Sequence, residues 1–174
     1  MFARTERLLL RPVWREDAPA LHAAINDEQL IAKLARVPWP YTPSDAEAFC
    51  AAERDPLRPA MLIFARTHGS PRLVGGIGLH DEEGEPALGY WIRRDHWGLG
   101  FATEAGRAVV DMALNGLRLP RLVAHHRADN PASGRVLRKL GFRACRPFMA
   151  EARGAEVPAI RYALEAGGTE RLAA

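Results

Sequence analysis

The segment from Gly89 to Ala105 (GYWIRRDHWGLGFATEA) combines the end of a strand, a loop with two glycines and the start of a helix. Gly98 and Gly100 allow the backbone to turn tightly and to approach a ligand closely. A helix predicted to begin near Phe101 leaves several backbone N–H groups unpaired and carries partial positive charge at that end. The segment therefore predicts an anion site, with phosphate as the usual anion. A plain strand-to-helix turn that requires glycine is the alternative interpretation.

The spacing of these glycines excludes two common nucleotide-binding motifs. The G-x-G-x-x-G fingerprint of dinucleotide-binding folds would need a third glycine at the position of Thr103. A nucleotide P-loop would end in Lys followed by Ser or Thr, and this loop has no such ending. The loop is thus predicted to bind a phosphate-bearing ligand other than NAD or ATP.

Hydrophobic spacing and helix-capping residues predict the elements that position this loop. Pro38–Tyr41 contains two prolines and is predicted to be a rigid loop. Strands that dominate the middle of the chain and are interrupted by helices indicate an α/β or α+β class with a mixed sheet. Strands are predicted at residues 8–13, 61–66, 73–79, 87–93, 121–126, 143–149 and 157–164, with a turn at 81–84. Helices are predicted at residues 17–25, 29–35, 43–54, 101–114 and 131–140, the third capped by Thr42 and the last by Asn130.

Composition narrows the class of protein. The 174 residues, 48% of them apolar, are expected to form one domain over residues 1–174. The sequence has no run of about 20 apolar residues, so a membrane span is not predicted, and neither is a signal peptide. Cys50 and Cys145 are far apart, which predicts neither a disulfide framework nor a metal site and favours a reducing cytoplasm. The arginines are scattered and the net charge is +3, so nucleic acid is an unfavoured partner in spite of a pI near 9.2.

Four blocks of sequence resemble the GCN5-related N-acetyltransferase (GNAT) superfamily, and within it the branch of ribosomal-protein N-terminal acetyltransferases. Trp97–Ala102 (WGLGFA) is similar to the superfamily loop Q/R-x-x-G-x-G/A, with Trp in place of Q/R as is common in this branch. Asn130–Phe142 resembles the family segment N-x-x-S-x-x-(V/A)-L-x-K-L-G-F. Thr5–Pro12 and Tyr41–Ala46 are weaker matches, and the four blocks occur in the expected order over nearly the whole chain.

The resemblance implies a GNAT fold, in which helices flank a mostly antiparallel sheet that is splayed at one parallel strand pair. The strands near residues 90–93 and 121–126 would form this pair, joined by the helix from Phe101 as a crossover. Acetyl-CoA would lie between them as co-substrate, with its pantetheine on the backbone of Ile92 and Arg94, and no metal is implied. Further residues implied to contact acetyl-CoA are Trp97, Gly98, Leu99, Gly100, Phe101, Ala102 and Thr103 in the loop, and Asn130, Ser133 and Lys139 in the following helix.

The resemblance also implies a direct attack of the amine on the thioester, because holding both substrates together supplies much of the rate. Ser133 is then the expected proton donor to the departing thiolate. Family members often carry a glutamate where this chain has Ala87, so we expect His80 or Glu85 to act as the base. A solvated histidine at a strand end is the alternative for His80.

Other side chains have less specific roles. Trp39 and Tyr41 are expected to border the acceptor amine, with plain packing as the alternative. His125 and His126 are consecutive in a strand and therefore point to opposite faces. Packing roles are expected for both, with one of them facing the cleft as the alternative.

The sequence thus predicts an acetyl-CoA-dependent N-acetyltransferase that acts on a protein N-terminal α-amine or a small-molecule amine. The alternative is a domain that senses acetyl-CoA without efficient catalysis, which the absence of a carboxylate at Ala87 keeps open. A nucleic-acid binder is disfavoured because the chain has no basic run and no aromatic platform motif. The sequence leaves undecided whether the chain forms a homodimer.

Overall fold

One mixed sheet organises the chain, and a computed structural model describes residues 2–67 and 69–167 of it. In chain order the strands are β1 Ala3–Arg4, β2 Leu8–Pro12, β3 Ala60–Ala65, β4 Arg72–Glu82, β5 Glu85–Ile92, β6 Arg121–Arg127, β7 Arg143–Ala152 and β8 Ala155–Glu165. Within the described residues they form an eight-stranded sheet in the order β1-β2-β3-β4-β5-β6-β8-β7. Neighbouring strands of this sheet are antiparallel, apart from β5 and β6, which are parallel.

Helices cover the sheet, and two of them begin at the caps that the sequence predicts. Thr42 and Asp45 form a reciprocal capping box, in which Thr42 N–H donates to the Asp45 carboxylate at 2.8 Å. Asn130 Oδ1 accepts from the N–H of Ser133 at the start of the last helix. None of the described helices is both long and apolar enough to cross a membrane. The helices are α1 Ala18–Ile25, α2 Glu28–Ile31, α3 Pro43–Ala51, α4 Phe101–Asp111 and α5 Pro131–Lys139.

Strand register assigns the side chains of the sheet to two faces. On one, which we call the α1 face, Leu62, Leu73 and Trp91 pack against α1 and α3. On the other, which we call the α4 face, Leu88 and Leu122 belong to a larger core that also contains residues of α4 and α5. Burial of apolar surface on both faces stabilises the sheet between two helical layers.

The sheet is splayed between β5 and β6. These strands share one paired position, Ala87 opposite Val123, and no pairing is found beyond it toward their C-terminal ends among the described residues. The backbone N–H and C=O groups of successive residues in a strand point alternately to the neighbouring strand on one side and on the other. Because Arg93 N–H donates to Val74 of β4 at 2.8 Å, the backbone polar groups of Tyr90 and Ile92 face away from β4. They face the opening between β5 and β6, which we call the gap.

Several predicted boundaries differ from the structure. The predicted turn at residues 81–84 is shorter, because Glu83 and Gly84 have φ of 55° and 81° and form a two-residue hairpin turn. As a result β4 extends to Glu82. The predicted helix 29–35 is a single turn that starts earlier, because Asp27 caps it. The predicted helix 101–114 ends at Asp111 and continues as a π-helical turn, and β1 was not predicted.

The mixed α/β class and the hairpin of β7 and β8 are confirmed. The expected single domain over residues 1–174 includes residues 1, 68 and 168–174, which lie outside the described residues. That expectation stays a prediction.

Substitution of Gly78 tests the packing at the centre of the sheet. A Cβ atom at Gly78 would lie 2.5 Å from the carbonyl oxygen of Pro59 and 2.9 Å from Cα of Ala60. Because both are backbone atoms that cannot rotate away, we expect Gly78→Ala to destabilise the fold by about 1–3 kcal/mol, measured by denaturant unfolding. Gly116→Ala is the control, since its nearest neighbour, Cγ of Met112, is 4.0 Å away. Equal stability of the two variants would contradict this packing.

Candidate functional site

The loop before α4 presents a row of backbone N–H groups. Gly98 and Gly100 have φ of 78° and 81°, in the left-handed region that favours glycine. Among the described residues, no hydrogen-bond acceptor faces the N–H groups of residues 98–103. A Cβ atom at Gly98 would meet nothing within 4 Å, so the space beside the loop is open. Free N–H groups at a helix N-terminus form an anion site that suits a phosphate or pyrophosphate.

An ion pair between Arg7 and Glu104 holds this loop in place. The Arg7 guanidinium donates to Glu104 at 2.7 Å and to the Leu99 carbonyl at 2.9 Å, and it lies 4.9 Å from the centre of the Phe101 ring. Burial alone would raise the pKa of Glu104, but hydrogen bonds from Thr5 and Arg7 outweigh it and lower the pKa below its usual range. Sequence reasoning gave no role to Arg7, although it lies in the Thr5–Pro12 block.

The gap connects directly to this loop. The indole Nε1–H of Trp97 donates to the Ile92 carbonyl at 2.7 Å, so the start of the loop is bonded to the end of β5. The Ile92 carbonyl is thus already engaged, and the backbone groups of Tyr90 and the N–H of Ile92 are left to pair with amide groups of an extended ligand, much as a sheet edge pairs with an added strand. The Arg94 side chain is held by Asp27 at 2.9 Å, and the Arg94 carbonyl accepts from the N–H of Trp97 at 3.2 Å, so the N–H of Arg94 is the backbone group left for the predicted ligand contact.

Tyr90 and Ser133 meet on the α4 face of the gap. The two hydroxyl oxygens are 2.7 Å apart and either can be the donor, and the single Tyr90 proton can instead be donated to the Ser133 carbonyl at 3.1 Å. Burial raises the pKa of Tyr90 to about 12, so its hydroxyl stays protonated at neutral pH. Sequence reasoning predicted Ser133 and missed Tyr90, which is adjacent to Gly89 but carries no local signal of its contact with α5. Lys139 is exposed at the end of α5.

On the α1 face, Glu82 lies between two histidines. Its Oε2 accepts a hydrogen bond from His125 Nδ1 at 3.2 Å, and its Oε1 is 3.0 Å from the same nitrogen. His80 Nε2 is 3.9 Å from Glu82 Oε2. The hydrogen bond from His125 lowers the pKa of Glu82. Burial, and then the positive charge of Arg36, lowers the pKa of His80 to about 4. His80 is therefore a neutral side chain at physiological pH, and its ring lies over Gly89, where a Cβ atom would be 3.3 Å from Cε1 and Nδ1. Its predicted role as base stays a prediction.

Glu85, the other predicted base, is engaged in ion pairs. Its carboxylate is 2.5 Å from Arg161 Nη2 and 3.3 Å from Arg121 Nε. Arg161 also binds Glu83 at 2.9 Å. Two guanidinium groups thus compete with any amine for this carboxylate.

A groove of about 650 Å³ opens on the α1 face beside Trp39, whose side chain is 43% exposed. It runs between the loop that contains Trp39 and the turn that joins β7 and β8. The Tyr41 side chain does not reach it, because Tyr41 is buried in the core with α1 and α3. Of the two predicted acceptor contacts, Trp39 alone lines the groove. The other lining residues are Ala35, Arg36, Pro38, Arg127, Ala152, Arg153, Ala155 and Val157.

Known proteins resemble this chain in sequence and in fold. YoaA of Bacillus subtilis, an uncharacterised N-acetyltransferase, is 28% identical over 146 residues, which cover 79% of this chain and 80% of YoaA. A GNAT-family acetyltransferase from Bacillus anthracis superimposes with a TM-score of 0.83 at 24% identity, covering 96% of this chain and 99% of the other. RimL, a ribosomal L7/L12 α-N-protein acetyltransferase solved with coenzyme A, superimposes with a TM-score of 0.82 at 19% identity, covering 97% and 99%.

The family assignment comes from the sequence itself. Residues 7–143 match the sequence profile of the acetyltransferase (GNAT) domain. This range includes the splayed strands, the glycine loop and the Tyr90–Ser133 contact. The chain is therefore an acyltransferase that belongs to the GNAT acetyltransferase family.

Proposed function

We propose that this enzyme transfers the acetyl group of acetyl-CoA directly to a primary amine, and most readily to the α-amine of a protein N-terminus. The observation that carries the proposal is the gap between β5 and β6, which is continuous with the free N–H groups of residues 98–103. These features suit the two ends of one ligand, an extended arm with amide groups and a pyrophosphate. The coenzyme A bound to the similar RimL supports acetyl-CoA as that ligand. A cytoplasmic location is part of the proposal.

The chain's own residues would hold acetyl-CoA along this path. The backbone N–H groups from Gly98 to Thr103 would bind the pyrophosphate, and the backbone of Ile92 and Arg94 would bind the pantetheine. Asn130 shapes this side of the site because it caps α5 and so fixes the position of Ser133. Lys139 would contribute charge near the phosphates.

Tyr90 and Ser133 would stabilise the departing thiolate by hydrogen bonding. A thiol has a pKa of about 8.5, and burial raises the pKa of Tyr90 to about 12. Full proton transfer from Tyr90 to the thiolate is therefore unfavourable, and the pair acts as a hydrogen-bond donor. The thiolate then takes its proton from solvent. This refines the role expected for Ser133, which becomes a donor supported by Tyr90.

The groove beside Trp39 supports a peptide acceptor. It is open along its length and is lined by arginines and small apolar side chains, so an extended chain can lie in it. RimL, which has a similar fold, carries the name of a protein α-N-acetyltransferase. A small amine would need a closed pocket to bind tightly, because ligand sites usually bury most of a small molecule's surface.

The glycine loop yields the first test of this function. Acetyl-CoA should raise the Tm of the wild-type protein, because a ligand that binds only the folded state stabilises it. Gly100→Val should abolish this shift, since Gly100 has φ of 81° and a branched side chain there strains the turn and blocks the loop. Thermal unfolding with acetyl-CoA, NAD and ATP is the measurement. Equal stabilisation by NAD would refute the loop assignment.

Tyr90→Phe tests the thiolate donor. We expect kcat to fall about 10- to 100-fold with little change in the KM for acetyl-CoA, because the lost hydroxyl acts mainly in the transition state. Tyr162→Phe is the matched control: it removes a hydroxyl on the same face that bonds His126 and Arg138 instead. Steady-state kinetics measure both. An unchanged kcat for Tyr90→Phe would remove Tyr90 from the mechanism.

The acceptor is tested with two matched peptides, one with a free N-terminus and one blocked but containing lysine. An α-amine has a pKa of about 7.7–8.0 and lysine about 10.4, so at pH 7.5 roughly a quarter to two-fifths of α-amines are neutral, against about one lysine in a thousand. We expect a higher kcat/KM on the free N-terminus, rising with pH through the pKa of the amine. Faster acetylation of the lysine peptide at neutral pH would contradict the proposed acceptor.

A further inference from the structure

The geometry points to His125, oriented by Glu82, as the general base that removes the proton from the attacking amine. This inference rests on the function proposed above. It assigns the base to a residue other than the two expected from the sequence, His80 and Glu85.

His125 stands at the edge of the gap on the acceptor side. Counting two residues beyond the last paired position, Ala87 with Val123, leads to Gly89 on β5 and His125 on β6. Gly89 has no side chain, and the His80 ring of β4 lies over it, since a Cβ atom at Gly89 would be 3.3 Å from Cε1 and Nδ1 of His80. Alternation along β6 puts His125 and Arg127 on the same face, and Arg127 lines the groove beside Trp39. An amine held in the groove at Arg127 would therefore lie on the same face of the sheet as His125, two residues away along β6.

Glu82 fixes which ring nitrogen of His125 is available. An ionised carboxylate only accepts hydrogen bonds, so the 3.0 Å contact requires the proton of His125 to be on Nδ1. Nε2 then carries the lone pair, and it has no hydrogen-bond partner among residues 2–67 and 69–167. The side chains of Glu82 and His125 are 14% and 20% exposed, which shields the pair while leaving it reachable. A histidine held by a carboxylate in this way is a recurrent arrangement for a catalytic base.

The other candidates are less suited to accept the proton. His80 Nε2 lies 3.9 Å from the Glu82 carboxylate, which is too far for a hydrogen bond, and burial lowers the pKa of His80 to about 4. Glu85 is held by Arg121 and Arg161. Neither side chain combines a fixed orientation with a free, basic lone pair.

Charged groups from each neighbouring strand surround His125. Glu82 and His80 face it from β4, and Glu85 belongs to β5. Arg161 is its register partner on β8, and its guanidinium binds Glu83 and Glu85. The edge of the Phe148 ring packs on the imidazole from β7, with ring centres 5.7 Å apart. Arg127 follows on β6 and is paired with Asp129 at 2.9 Å. Arg161 and Arg127 are thus matched by carboxylates, whereas Arg36, whose charge acts on His80, donates to the Asp81 carbonyl.

The proposed reaction forms one C–N bond, breaks one C–S bond and moves one proton from the amine to His125. The amine nitrogen attacks the thioester carbon, the C–N bond forms, and the proton on that nitrogen moves to Nε2 of His125. The C–S bond breaks, and the thiolate takes a proton from solvent beside Ser133. The imidazolium, stabilised by the Glu82 carboxylate, returns its proton to solvent. The products are the acetylated amine and coenzyme A. The two catalytic pairs, His125 with Glu82 and Ser133 with Tyr90, lie on opposite faces of the sheet.

The decisive variant is His125→Gln, assayed on the peptide with a free N-terminus. We expect kcat at pH 7 to fall about 10²- to 10⁴-fold, with the Tm shift by acetyl-CoA unchanged. His22→Gln is the matched control, because His22 lies on α1 and bonds the Tyr41 backbone. A wild-type kcat for His125→Gln would overturn the assignment, as would a larger loss for His80→Gln than for His125→Gln.

Glu82→Gln tests the positioning role through the pH profile of kcat. Removal of the carboxylate charge makes the protonated imidazole of His125 less favourable, so the rise of kcat with pH should occur at lower pH. The maximal kcat reached at higher pH should fall about tenfold or more. A variant that only loosened the fold would lower the plateau without moving the limb, and that result would overturn the role of Glu82.

Wild-type controls separate this inference from the proposed function. If the wild type acetylates the free N-terminus and His125→Gln does so equally well, the base assignment fails and the function stands. If the wild type binds acetyl-CoA but acetylates neither peptide, both the acceptor and the base assignment fail.

Discussion

The single paired position between β5 and β6, Ala87 with Val123, is the constraint on which the rest of the structure depends. Buried backbone groups must find hydrogen-bond partners, so a sheet that opens in its centre requires a substitute for the missing ladder. β4 holds β5 along its length and β8 holds β6, which allows the gap to persist without the sheet separating. An extended ligand with amide groups would complete the ladder, so the opening in the sheet would itself serve as the proposed binding site.

The gap also divides the chemistry between two faces. Alternation along β5 sends Tyr90 to the α4 face, where it meets Ser133, and places Gly89 on the α1 face, under the His80 ring. Alternation along β6 sends His125 to the α1 face and His126 under α5, where a Cβ atom at Gly134 would lie 2.5 Å from its Nε2. A proton acceptor and a hydrogen-bond donor are thereby kept apart, with the reacting thioester expected between them. If they lay side by side, they would bond each other and neither would be free.

Residue types that are adjacent in the sequence predicted the glycine loop and the start of α5. The groove and the Glu82–His125 pair depend on contacts between residues that are distant in the sequence. Gly98, Gly100 and the Asn130 cap are read from neighbouring residues, and the structure has them as predicted. Glu82 was assigned to a turn, and the two-residue turn at Glu83 and Gly84 instead extends β4 and brings Glu82 beside His125, 43 residues away. An aromatic loop likewise gives no local sign that Trp39 is exposed and Tyr41 buried, since that depends on the packing of α1 and α3.

The placement of the groove and the glycine loop has a kinetic consequence. The groove opens on the α1 face, whereas the glycine loop leads into α4 on the opposite side of the sheet. With acetyl-CoA at the glycine loop and the amine in the groove, as proposed, each substrate would have its own entrance. Such an arrangement would favour a ternary complex of enzyme, acetyl-CoA and amine without a compulsory order of binding or release.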